Sequence, residues 1–287
     1  MALSPSGNGR NVLNKSLMGK QKILYISQEI TPYLPKDNLS DLGQKLPQAI
    51  QEHGYEVRTF MPKYGLINER RNQLHEVIRL SGMNIVIDDT DHPLIIKVAT
   101  LQPSRMQVYF IDNDDYFEHH GIDGLEIKLS PSDNDERTMF FTRGVMETVK
   151  KLRWEPAIIN CLGWVTALAP LYIKTRYTED PAFRSAKVIY ARYNEPIPEA
   201  FAPRFVEKLI MDGFTDEQIK SLITPEGKVD NLAINKIAID YADAVVVSSP
   251  DVDPELIEYA RNSGKPFLPY PGDDNFSEYA EFYASLS

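Results

Sequence analysis

KILYISQEITPYLPKDNLSDLGQKLPQAIQEHGYEVRTFMP, residues 22–62, carries the decision about the fold. Its opening KILYIS is a short, mostly apolar run, the pattern of a strand covered on both faces within a parallel sheet. Leu39, Leu42, Leu46 and Ile50 then recur at helical spacing, and YEVRTFMP returns to an extended pattern. Strand, crossover helix and strand predict a right-handed βαβ unit.

Outward from this unit, EVIRLSGMNIVIDD, PLIIKVATLQ and MQVYFID are β-rich pieces split by polar turns, with no helix long enough to join parallel strands. They predict an antiparallel elaboration that leads back to the main sheet. SDNDERTMFFTRGVMETVKKL starts with capping residues and places Met139, Thr142, Val145, Met146 and Val149 on one helical face. PAIINCL, TALAPLYIKTRY, AKVIYARY, NLAINKIAIDYA, DAVVVSSP and PELIEYARNS continue the alternation. The expected fold class is α/β: a doubly wound, mostly parallel Rossmann-like sheet with an antiparallel β elaboration.

Three segments are expected: a flexible N-terminal extension (1–20), a Rossmann-like domain (21–272) and a helical tail (273–287). In the tail, Phe276, Tyr279, Ala280, Phe282 and Tyr283 fall on a short aromatic helix expected to pack back over the domain. A formal charge of −10 with a sequence pI near 5.1 argues against nonspecific binding to nucleic acid, which needs a basic surface. The partner classes left are a protein and a neutral sugar such as an α-glucan, and the oligomeric state is not legible. Cys161 is the single cysteine among 287 residues, which excludes an internal disulfide and a multi-cysteine zinc site. With no apolar signal stretch and no run of membrane-spanning length, a cytoplasmic protein is expected.

Ligands of doubly wound sheets bind beyond the carboxyl ends of the strands. The loops to inspect are therefore SQEITPYLPKDNLSD, NCLGWVT, ARYNEPIPEAF and SSPDVDPE. Lys36, Asp37 and Asn38 follow two prolines in the first loop and read either as ligand contacts or as plain loop residues. Trp164 beside Gly163 reads either as a sugar-stacking platform or as a packed anchor, and Thr166 as the cap of the next helix. His119 and His120 lack convergent further ligands, and the DNDDY stretch with Asp112, Asp114 and Asp115 reads as a turn, so no metal site is expected. Cys161 has no activating neighbour in sequence.

The same loops resemble those of bacterial glycogen synthases and plant starch synthases. Ser27, Glu29, Pro32, Leu39, Asp41, Leu46, Pro47, Ala49, Gly54, Glu56, Val57 and Arg58 fall in register with that family's opening strand, loop, helix and second strand. VYFIDNDDYF, DNDERTMFF, TALAPLYIKTRY and NKIAIDYADAVVVSSP extend the resemblance over about residues 22–272. It implies a GT-B fold of which this chain matches the N-terminal, acceptor-side half, without the donor-binding domain.

Three departures from the family pattern accompany the resemblance. Its K-x-G-G loop, where glycine lets backbone amides approach the donor phosphates, reads PKDNL, with Asp37 and Asn38 in place of the glycines and Lys36 displaced by one position. Its H-x-H-D-W-H-T turn becomes Asn160, Cys161, Leu162, Gly163, Trp164, Val165 and Thr166, which removes every imidazole and the carboxylate. Its T-I-H-N strand end becomes ARYN, with Tyr193 for histidine and Asn194 retained.

The resemblance with these losses implies a non-catalytic binding or scaffold protein, with degenerate catalytic positions at Gly163, Val165 and Tyr193. Its candidate ligand-binding residues are Lys36, Asp37, Asn38, Asn160, Trp164, Tyr193 and Asn194. The alternative is a glucosyltransferase acting with a separate partner chain or on an altered substrate. Only then would a nucleotide sugar, ADP-glucose or UDP-glucose, be required; otherwise no cofactor is expected.

Overall fold

The computed structural model describes residues 20–118, 133–195, 200–224 and 227–286. The N-terminal extension apart from Lys20 lies outside them, as do His119 and His120. The elements run β1 (Lys22–Ser27), α1 (Asn38–Glu52), β2 (Glu56–Pro62), α2 (Glu69–Asn72), β3 (His75–Glu76), β4 (Met83–Ile87), β5 (Thr90–Leu101) and β6 (Met106–Asp112). They continue with α3 (Asp114–Phe117), α4 (Asn134–Leu152), β7 (Ile158–Leu162), α5 (Ala169–Thr175), β8 (Lys187–Arg192) and α6 (Phe205–Met211). The chain closes with α7 (Asn231–Tyr241), β9 (Ala244–Val247), α8 (Pro254–Asn262), β10 (Phe267–Leu268) and α9 (Phe276–Ser285).

Among the described residues the strands form one sheet in the order β10-β9-β8-β7-β1-β2-β6-β5-β3, with β4 paired outside that path to β5. Every pairing from β10 to β6 is parallel. β5 is antiparallel to β6, β4 and β3, so the predicted elaboration is a meander that re-enters the sheet through β6 beside β2. Strand order reverses direction at β1, whose neighbours are β2 and β7. The loops after β1 and β7 therefore flank the switch point where such folds bind ligands.

Register separates the two faces of the sheet. Tyr25 lies opposite Asn160, whereas Ile26 lies opposite Cys161 and Cys161 opposite Tyr190. Because successive residues point to opposite faces, Tyr25 and Asn160 share one face, and Tyr190 lies on the other. The Tyr190 hydroxyl donates to Asn235 Oδ1 of α7 at 2.7 Å, which places α7 on that second face, where α5 packs against it. On the first face Tyr25 and Asn160 meet Tyr283 of α9, which also packs against α1. Tyr279 and Tyr283 are fully buried there.

Candidate functional site

α1 begins at Asn38, inside the stretch expected to be loop. Asp37 occupies its N-cap position with extended backbone; Oδ1 accepts from Ser40 N at 2.7 Å, and Ser40 Oγ accepts from Asp37 N at 2.9 Å. This reciprocal pair is a capping box. Asp37 is thus a helix cap and Asn38 the first helical residue, and the plain-loop reading of both is corrected. Free amides at a helix N-terminus attract phosphate, but here a carboxylate already takes the Ser40 amide. Lys36 turns away to Asp41 at 3.3 Å, where Lys45 joins it at 3.1 Å. Partial burial raises the Asp41 carboxyl, and the two lysines pull it below its usual range. Gly43 lets α1 lie on the β1 loop, since a Cβ there would stand 2.1 Å from Glu29 O.

The turn after β7 is buried throughout. Gly163 has φ +91°, and an added Cβ would meet Gln28 Cβ at 2.6 Å, so glycine is needed for both conformation and space. Trp164–Thr166 then form one 3-10 turn. The Trp164 amide donates to Glu195 Oε1 at 2.8 Å, and Glu195 Oε2 accepts from Arg192 at 2.6 Å. Burial pushes the Glu195 carboxyl up, against the opposing pull of Arg192 and the Trp164 amide. On the other side of the turn, Thr138 Oγ1 donates to Val165 O at 2.7 Å.

Trp164 is 1% exposed and meets Phe201 edge-on, so its ring faces are covered and the stacking-platform reading is corrected to that of a packed anchor. Val165 is buried beside it. Thr166 does not cap the next helix: its hydroxyl donates back to Gly163 O at 2.7 Å, and α5 starts at Ala169. Asn160 is fully buried and accepts from the Tyr283 hydroxyl at 3.0 Å, so it faces α9 rather than the rim. Cys161 is buried, and burial pushes its thiol up, so no nucleophile is presented there.

Of the predicted positions, Asn38 and Tyr193 are brought together. They share a cavity of about 180 Å³ with Asp41, Lys45, Ser248 and Asp273. Partial burial raises the Tyr193 phenol, and the carboxylates of Asp273 and Asp37 raise it further, while a hydrogen bond with Asn38 opposes them. Tyr193 is thus a neutral hydrogen-bonding group at ordinary pH and a poor base. Asn194 is exposed, and its amide is fixed by Ser249 Oγ at 2.8 Å.

Gln28, Glu195 and Arg192, which pack about the β7 turn, and Asp41 and Asp273, which line the cavity, were not singled out in sequence for these places. Only Asp41 carried a signal, as a member of the motif in α1.

The DNDDY stretch is also more than a turn: Asn113 caps α3, accepting from the Tyr116 amide at 3.2 Å. Among the described residues the carboxylates of Asp112, Asp114 and Glu118 converge within 4.8 Å. Lys97 reaches Asp112 at 2.7 Å and Lys63 pairs with Glu118, so lysines supply the countercharge within the cluster. No helix among the described residues is long and apolar enough to cross a membrane.

Comparison with known proteins places the chain in a family. The starch synthase catalytic domain matches residues 22–265. The glycogen synthase of Chlorobaculum parvum is 34% identical over 243 residues, 84% of this chain and 48% of that protein. The glycogen synthase of Pelodictyon phaeoclathratiforme is 39% identical over 178 residues, 60% of this chain and 36% of that protein. The chain spans about half the length of the first of these relatives. The catalytic domain of starch synthase IV from Arabidopsis thaliana, solved with ADP and acarbose bound, superposes with a TM-score of 0.69 at 19% identity, covering 88% of this chain and 51% of that one.

Proposed function

Because the chain belongs to the starch synthase catalytic domain family, we infer that it is a homologue of the glycogen and starch synthases that binds without transferring glucose. Its cleft would hold an α-glucan or a protein partner. The observation that carries this reading is the turn at Gly163–Thr166, which has no titrating side chain and whose Trp164 amide is spent on Glu195. Transfer of a glucosyl group needs groups that stabilise charge developing at the leaving phosphate and the sugar. Here the Ser40 amide of the α1 terminus is taken by Asp37, and the residue at the degenerate strand end is the neutral phenol of Tyr193.

The test is glucosyl transfer from ADP-glucose and from UDP-glucose to glycogen by the purified chain. Background rates are expected with both donors; sustained elongation with either overturns the reading. A second reading, transfer completed by a separate donor-binding chain, draws support from the cavity beside Tyr193. Co-purification of a second Rossmann-like chain that restores transfer would favour it.

A further inference from the structure

We propose that the N-terminal ends of β1 and β2, at the opposite end of the sheet from the cleft, form a binding site for a phosphate group, held by Arg58 and Lys22. The site stands apart from the cleft and does not depend on what the cleft binds.

Register gathers the side chains. Lys22 pairs with Glu56, and Leu24 with Arg58, in the parallel ladder; because alternate residues share a face, Lys22, Glu56 and Arg58 project from one side of the sheet. There they meet Trp154, which follows α4. The guanidinium carbon of Arg58 lies 4.8 Å from the centre of the Trp154 ring and 6.0 Å from that of Tyr109, and Lys22 Nζ lies 5.9 Å from the same indole. One buried ring thus orients two cations.

Neither cation has a countercharge of its own. Lys63, Lys97, Arg143, Arg192 and Lys208, buried or half-buried elsewhere, each hold a carboxylate. Among the described residues Lys22 and Arg58 are in no ion pair, and Arg58 Nη1 is cut off from solvent without an acceptor. The carboxylate on their own face is spent on the indole: Glu56 Oε1 accepts from Trp154 Nε1 at 2.7 Å. A sequestered donor with no acceptor is costly, and an anion from outside removes that cost. Both side chains are half-buried, so such an ion can reach them from solvent.

The donor set selects phosphate over carboxylate. A guanidinium fork fills both oxygens of a carboxylate and leaves the ammonium with little to hold, whereas a phosphate group offers a third oxygen to the point charge. Gln107 adds an uncharged donor. It lies opposite Arg58 in the ladder of β2 and β6, and its Oε1 accepts from the Tyr109 hydroxyl at 3.1 Å, which leaves its amide NH2 group for the anion.

The experiment is titration of the full chain with inorganic phosphate, glycerol 3-phosphate and acetate, read by calorimetry and by the two indole N–H signals in proton–nitrogen NMR, which Trp154→Phe assigns. Saturable binding of phosphate is expected, with movement of the Trp154 signal, none of that of Trp164, and weakening in high salt. Arg58→Gln and Lys22→Gln should each weaken it at least about tenfold, the scale of a lost charge-assisted hydrogen bond. Arg71→Gln, at an exposed position of α2, should leave it unchanged. Should Arg58→Gln fail to fold, Lys22→Gln and the Trp154 signal of the unaltered chain carry the test. Equal affinity for inorganic phosphate and glycerol 3-phosphate identifies the free ion as ligand, and tighter glycerol 3-phosphate a phosphomonoester. A Trp154 signal unmoved by phosphate, binding unchanged in Lys22→Gln, or acetate bound as tightly as phosphate overturns the site.

Discussion

Two turns at the rim of the sheet, one at the start of α1 and one after β7, each spend an amide on a carboxylate of their own chain. At α1 the carboxylate is that of Asp37, exposed and three residues from the amide it accepts from. After β7 it is that of Glu195, buried and 31 residues from Trp164. The exposed cap sits in water, which can replace it at modest cost. The buried one is shared with Arg192, so removing it strands a guanidinium away from solvent. The two turns hold their amides with different degrees of permanence: at the first the acceptor is a side chain that can swing away, at the second it is built into the core.

This contrast can be broken at several points. The largest effect is expected from Glu195→Ala, which leaves Arg192 buried without its partner and should cost about 3–5 kcal/mol in urea unfolding; a loss under about 1 kcal/mol would mean the two turns are alike. Gly163→Ala places a Cβ at φ +91° and 2.6 Å from Gln28 Cβ, and should cost about 1–3 kcal/mol by the same measurement. Asp37→Ala removes a helix cap and should cost about 1 kcal/mol, with Asp37→Asn recovering most of it.

The smallest effect is electrostatic. The Asp41 carboxyl, lowered in the folded state by Lys45 and Lys36, stabilises the fold fully above its unfolded pKa of about 4. That stability is lost as pH falls through the lower folded value. A pair this exposed to solvent contributes little after screening. The double substitution Lys36→Met, Lys45→Met should flatten this part of the acid limb of a thermal-melting profile, and high salt should do the same.

Much of the fold was legible because its signals are local. Leu39, Leu42, Leu46 and Ile50 are all buried on α1, and the β-rich stretch without a crossover helix is the antiparallel meander. The capping box of Asp37 and Ser40 is local too, but the D-x-x-S pattern that forms it also fits turns and does not by itself mark a helix start. The burial of Trp164 could not be read, because it depends on Phe201, and the filling of its turn depends on Gln28 and Glu195, contacts with no periodic trace. Tyr193 and Asn38 were both named, but their meeting at one cavity requires the tail to lie where Asp273 completes it.

The hydroxyls of Tyr25 and Tyr283 meet across 258 positions of chain. During synthesis β1 is thus made long before α9, and the part of its face that meets Tyr283 stays wet until the ribosome has delivered that helix. Contacts of such wide separation form late and leave intermediates sticky. The part of that face which Tyr283 covers therefore stays open until residue 283 has been made, and chaperone dependence should track how soon that residue emerges.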